Sequence, residues 1–431
     1  MFQAAGRFKT VGDAEEKLFF SCLSRDANTE DWEWFQGLKS KKTRKIFIRK
    51  MEAGETFDKS VSCMYPCDWA AVNRALAIMN TAETGKRKFA FRGISDSAGR
   101  PGELAYITYD SWRVDNLFNS IICQSPMSKP SKPKLFVMMA GADRYSCSYT
   151  DWGDHMVCER GARDYSIHEG CWVYQELHDA TQPSQKLTSW VQALQPESRG
   201  GQKQFSSVAI DSLPHGPTAA GWRPGCINLF ATGIPGDFAA HNTGHEMKDR
   251  GAFYNYMDPS VAILIPGALM LHGWPTPMYG QMSSAPMPAN LTLLATLTPS
   301  FPLEVLEPMI DEVFSFHDAS PPMFRLGGSL RQGVRWAFAH IVMYYPERYT
   351  SNPPEMLMVC DALRDAFNAT INKTKLHNTH DTLMKWGREL KVRFISDSLF
   401  LSARHKDPPT EQIVSQMQEI TKMLGSVQAA L

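Results

Sequence analysis

The last hundred residues constrain the fold most, because their apolar side chains recur at helical spacing almost without a break. Leu330, Val334, Phe338, Ile341 and Tyr345 share one face of a helix that Ser329 is placed to cap. Met356, Val359, Cys360, Leu363, Phe367 and Ile371 form the inward face of a second helix, starting at Glu355. Residues 381–390 predict a third, and over 391–401 helix and strand both stay open. Beyond Asp407-Pro408-Pro409 come Ile413, Met417, Ile420, Leu424, Val427 and Leu431, spaced 4, 3, 4, 3 and 4 residues apart. That is an apolar seam at the coiled-coil period. A helix with such a seam, set off by a double proline, has to dock on its own core or on a neighbouring subunit.

Further helices are predicted at 241–257, 259–272, 288–297 and 303–316, with a Pro/Met-rich crossover at 273–288. Upstream the pattern is mixed. Residues 67–79 read as a helix capped by Asp68, 88–94 and 104–109 as strands, 114–123 as a helix, and 135–140 as a buried strand ending at Gly141. Residues 141–236 are the least regular and rich in Gly, Pro and aromatic residues, a length of loop that is usually functional or packed on a partner. The predicted fold is α+β and predominantly α. A mixed α/β N-terminal lobe (1–236) is followed by an all-α C-terminal lobe (237–407) and a hinged C-terminal helix (408–431).

The charge balance narrows the function. Lys plus Arg and Asp plus Glu are each 45, so the 431 residues carry no net charge. A wide nucleic-acid surface is excluded, and only a local basic patch remains. The best candidate is 39–50, with seven basic residues and no acid. In it Lys41, Lys42, Arg44, Lys45, Arg49 and Lys50 can neutralise phosphates, while Trp32, Trp34 and Phe47 can stack on bases. Lysines that block a strand edge would look the same. A second set comprises Arg325, Arg331, Arg335, Lys385, Arg388, Lys391 and Arg393. Arg331 and Arg335 are one turn apart, and Gly327-Gly328 precedes them at a helix start that can bind an anion.

Enzyme signatures are weak. His155-x-x-Cys158 and His168-x-x-Cys171, flanked by Cys147 and His178, offer zinc ligand types, but not the usual Cys-x-x-Cys pairing. Buried thiols and hydrogen-bonded histidines are the favoured explanation of them. His241 and His245 are one turn apart, yet Glu246 follows the second histidine where a zinc hydrolase needs it after the first. No lipase-type serine elbow, kinase or dinucleotide signature occurs. No catalytic residue, metal or cofactor is predicted. Nine cysteines without a framework read as reduced thiols, and no signal peptide or spanning segment is predicted.

Local basic patches on a neutral chain, a two-part body, irregular aromatic loops and a hinged terminal helix together resemble the layout of RNA-virus structural proteins. These include the two-lobed nucleoproteins of negative-strand viruses and the shell proteins of double-stranded RNA viruses. The resemblance implies a self-assembling, non-enzymatic protein that encapsidates RNA without sequence specificity, forms homo-oligomers through exchanged terminal segments, and resides in the virion and host cytoplasm. In that scheme Ile413, Met417, Ile420, Leu424, Val427 and Leu431 are the assembly seam. A zinc-containing enzyme or module built on 147–178 and a host scaffold or adaptor protein are the alternatives.

Overall fold

A twelve-residue helix, Ser148–Glu159, lies at the centre, and every one of its residues is buried. The computed structural model describes residues 66–97, 99, 101–126, 134–159, 171–192, 261–274, 286–314, 330–374 and 376–404. All of these belong to one compact unit, Ser62–Leu431. In chain order the helices are α1 Pro66–Met79, α2 Ala82–Ser97, α3 Pro101–Leu104, α4 Ser148–Glu159, α5 Gln175–His178, α6 Pro183–Gln192 and α7 Val261–Leu271. They continue with α8 Leu291–Leu297, α9 Leu303–Phe314, α10 Arg331–Met343, α11 Tyr345–Thr350, α12 Leu357–Thr370 and α13 Thr379–Arg404. Strands β1 Trp112–Asp115, β2 Ser120–Ser125 and β3 Lys134–Met138 form an antiparallel sheet in the order β1-β2-β3. An N-terminal region mixing helices with a small antiparallel sheet is thus followed by an all-helical C-terminal region, as the periodicity predicts.

Helix α4 packs against α2 and α10, and also against α9 and α12. Small residues permit these approaches. A Cβ at Gly85 of α2 would lie 2.2 Å from Cys158 Sγ, and one at Gly153 of α4 would lie 2.6 Å from Ile341 Cγ2 of α10. Neither position tolerates a side chain without displacing its neighbour.

The sheet packs on α7 through Phe118, Ile122, Val137, Leu264, Ile265 and Leu269, with Ile121 and Ile122 paired with Met138 and Val137. In the C-terminal region Phe301, Phe367 and Trp386 meet edge-on around a core that includes Leu306, Ile310, Leu363 and Leu383. Helix α12 is preceded by Met356, which is left-handed at φ 48°, and its cap comes from a distant residue. Asn80, at the end of α1, accepts from the Leu357 amide at 2.6 Å and donates to the Pro354 carbonyl at 3.1 Å. Its own φ of 55° is one that asparagine tolerates.

Several local expectations are overturned. Residues 88–94 lie inside helix α2, not a strand; 104–109 close α3 and form a turn whose bridge is Thr108 to Trp172. Residues 114–123 form the β1–β2 hairpin where the pattern predicts a helix. The described residues 141–159 and 171–192 include α4, α5 and α6, so they are more regular than the composition suggests. The open question over 391–401 resolves as helix, because Trp386, Leu390, Phe394 and Ser398 continue one buried face of α13. Helix α10 starts at Arg331 behind Leu330, which gives no side-chain cap, and Ser329 lies outside the described residues. Also outside them are 241–257 and 405–431, with the helix and seam predicted there.

One packing point is directly testable. A Cβ on Gly387 of α13 would sit 2.4 Å from Pro346 Cδ and 2.7 Å from the Val342 carbonyl. Ring and backbone atoms cannot swing aside as a flexible side chain would. Gly387→Ala is therefore expected to lose about 1–3 kcal/mol of stability by overpacking, outweighing the gain in helix propensity of about 1 kcal/mol. Urea unfolding of the two proteins measures it, and an unchanged or more stable variant contradicts the packing described.

Candidate functional site

Two clusters near the start of α4 contain catalytic residue types, and the hydrogen bonds decide what each can do. Cys147 Sγ lies 3.4 Å from Nδ1 of His340, and both side chains are fully buried. The other ring nitrogen, Nε2, accepts from the Ala289 amide at 3.2 Å. A backbone amide only donates, so in the neutral ring the proton resides on Nδ1 and points at sulfur. A thiol nucleophile needs the opposite arrangement, with the imidazole free to take the S–H proton. Burial pushes the Cys147 thiol up and the His340 imidazolium down, the latter to about 3, so both groups stay neutral.

The neighbouring residue forms a Ser-His-Asp cluster with the wrong topology for a triad. His272 Nε2 lies 2.6 Å from Ser148 Oγ and 3.3 Å from Asp96 Oδ1, and Ser148 donates to Asp96. Nδ1 faces the Ala268 carbonyl at 2.6 Å. In a catalytic triad the carboxylate holds the nitrogen opposite the serine. Here serine and aspartate share one nitrogen and a main-chain carbonyl occupies the other.

These clusters border a charged core. Helix α2 directs Lys88, Arg92 and Asp96, four residues apart, along one face; α4 supplies Asp151 and Asp154. Lys88 bridges Asp151, at 3.0 Å, and Asp154. Arg92 Nε lies 3.1 Å from Asp151, Arg348 of α11 lies 2.6 Å from Asp154, and Asn73 of α1 donates to Asp151 at 2.9 Å. Three cations thus face three carboxylates, all buried. Burial alone would lower the pKa of Lys88, but Asp151 and Asp154 outweigh it and hold the ammonium above its ordinary value. Burial lifts the Asp151 carboxyl, with Lys88 and Arg92 pulling against it. The network fixes α1, α2, α4 and α11 to one another, and each of its charged groups is already engaged by another.

The zinc ligand types do not converge. Cys147 faces His340, and His155 packs at a tilt against Phe89 with centroids 5.0 Å apart. His178 lies flat on Trp172 at 4.0 Å. Among the described residues no three His, Cys, Asp or Glu side chains form a metal-ligand set. His168, His241, His245 and Glu246 fall outside them.

The basic candidates divide. Lys41, Lys42, Arg44, Lys45, Arg49, Lys50 and Arg325 lie outside the described residues, as do Ile413, Met417, Ile420, Leu424, Val427 and Leu431. Arg331 pairs at 2.7 Å with both Glu307 and Asp311, and Arg335 pairs with Glu307. Two arginines one turn apart on α10 therefore meet two acids one turn apart on α9. Lys391 pairs with Glu347, and Arg393 with Asp397 at 3.1 Å. Lys385 and Arg388 are the least engaged of the set. The Lys385 side chain is 73% exposed and only 3.9 Å from Glu389, while Arg388 is exposed on the same side of α13.

Val392 and Ile395 continue that outward side, 52% and 43% exposed. Positions 385, 388, 392 and 395 keep the 3-4-3 spacing of one helical face. Helix α13 thus presents cations and then apolar side chains to solvent. Among the described residues no helix is long and apolar enough to cross a membrane. No known protein family, curated protein or solved structure matches this chain.

Proposed function

We propose that this chain is a self-assembling structural protein that encloses RNA, holding the phosphate backbone without reading sequence, in the manner of RNA-virus nucleoproteins or shell proteins. The observation that carries the reading is the outward face of α13. Lys385 and Arg388 offer accessible positive charge on a chain with no net charge, and Val392 and Ile395 offer apolar contact beside it. Residues that hold a polyanion and residues that meet a neighbouring subunit then lie on one rigid helix. Arg331 and Arg335 are answered by Glu307 and Asp311, so on the described surface the phosphate role rests on Lys385 and Arg388. The basic run 39–50 and the seam 413–431 complete the proposal as a second phosphate-binding segment and an exchanged arm. The role is structural, and its place is the virion and the host cytoplasm.

Electron microscopy of the purified protein, with its A260/A280 ratio, tests this. Nuclease-sensitive rings, filaments or particles with an elevated ratio are expected. A monomer that binds no nucleic acid at low salt would remove the proposal. If it does bind, Lys385→Glu with Arg388→Glu should weaken RNA binding about tenfold or more near 0.1 M salt and flatten the salt dependence, because two phosphate contacts release their counterions no longer. Unchanged affinity and slope would exclude α13 as the contact.

A further inference from the structure

We propose that Tyr349, at the end of α11, is a stacking platform for one unpaired base of single-stranded RNA; the inference rests on the RNA-binding reading above. Tyr349 is 39% exposed, and two neighbouring rings pack against it. His380, on the first turn of α13, packs against it with centroids 4.4 Å apart. Tyr345, one helical turn earlier, lies nearly parallel at 18° and 6.2 Å. The Tyr345 hydroxyl and His380 Nδ1 are hydrogen-bonded at 2.9 Å, which locks the two supports together. Two rings, one from each of two helices, therefore back one outward aromatic residue, an arrangement that costs little to order when a base arrives.

The surroundings favour a nucleic acid over a protein. Thr350, Ser351 and Asn352 follow Tyr349 in the chain, so its sequence neighbours on that side are polar. Arg364 of α12 is close enough to interact electrostatically with both tyrosines, and its carboxylate neighbour Asp361 is already paired to it. The acid nearest His380 along α13, Asp381, is held by the Asn378 amide at 2.7 Å. His380 and Arg388 are eight residues apart, about 12 Å along α13 and about 80° around it. A strand whose phosphates meet Lys385 and Arg388 can thus place a base on Tyr349. Aromatic stacking of this kind accepts any base, which suits a protein that encloses RNA of arbitrary sequence.

Fluorescence anisotropy with a labelled single-stranded RNA dodecamer tests the assignment on the full chain. Tyr349→Ala is expected to weaken binding about 5- to 100-fold. The slope of affinity against salt should stay that of the wild type, since no phosphate contact is lost. Tyr349→Phe should bind within about twofold of wild type, because the ring face is retained. A strand of the same length with abasic positions should bind wild type and Tyr349→Ala alike. Equal affinity of wild type and Tyr349→Ala for the intact strand overturns the inference and leaves phosphate binding in place. Loss of self-assembly with RNA affinity unchanged also overturns it, by making the ring a protein contact. A wild-type protein that binds neither strand removes the RNA reading itself.

Discussion

Asp154→Ala is expected to cost about 3–5 kcal/mol of folding stability, enough to leave much of the protein unfolded. The carboxylate is fully buried and serves two cations, Lys88 and Arg348, which are almost as deeply enclosed. Removing it leaves three buried cations against two carboxylates, Asp96 and Asp151, and Arg348 loses its 2.6 Å partner. The cost comes from stranding charge, more than from losing attraction. A second variant separates the two. Adding Lys88→Met to Asp154→Ala restores equal numbers of charges and should recover part of the loss. Urea unfolding of the three proteins reads both effects. A single variant within about 1 kcal/mol of wild type would show that the network is not charged as drawn.

That network also explains why the centre of the fold was illegible from residue patterns. The sequence of α4, SYTDWGDHMVCE, carries two aspartates, a histidine and a glutamate, so it lacks the apolar stripe that marks a helix. Its polar residues are interior because their partners arrive from α2, some sixty residues earlier, and from α11, nearly two hundred later. Helix α2 misleads differently. Lys88-Phe89-Ala90-Phe91-Arg92 alternates like a strand, and Gly85 weakens the helical signal, yet that glycine is what lets α4 approach. The β1–β2 hairpin is the reverse case. Val114, Leu117, Phe118, Ile121 and Ile122 have perfect helical spacing. Asp115 nevertheless accepts from the Leu117 and Phe118 amides, and Asn119 turns left-handed at φ 51°. Local turn chemistry wins, and Leu117 is left 73% exposed.

The C-terminal helices were legible because each buries one conventional stripe against another. Charge was only half legible there. The one-turn spacing of Arg331 and Arg335 was visible, and so was that of Glu307 and Asp311, but nothing in the pattern brings α9 and α10 face to face. Lys385 and Arg388 look the same in the pattern and differ in how weakly they are engaged, Lys385 reaching Glu389 only at 3.9 Å. Tyr349 and His380 gave no signal at all, since their contact depends on how α11 folds back onto α13.

Acid should loosen the structure through His340. In the fold its ring is neutral, held by the Ala289 amide on one side and Cys147 on the other, and burial keeps its pKa down at about 3 against an ordinary 6.5. A histidine whose folded pKa is depressed takes up a proton on unfolding. Its contribution is intact above about 6.5 and is lost progressively as pH falls toward 3. Each tenfold step in proton affinity is worth about 1.4 kcal/mol, which bounds the loss near 5 kcal/mol. Asp151 works in the opposite sense, because burial raises its pKa and protonation then favours the folded state. His340→Gln can keep an acceptor for the Ala289 amide without a titrating group. Its unfolding free energy between pH 7 and 4 should therefore fall less steeply than that of the wild type. Parallel slopes would place the acid sensitivity in the carboxylates and exclude His340. Because His340 joins the start of α4 to the segment leading into α8, the loosening predicted is of the seam between the mixed and all-helical regions. Exchange of the Ala289 amide with solvent should rise with the same pH dependence.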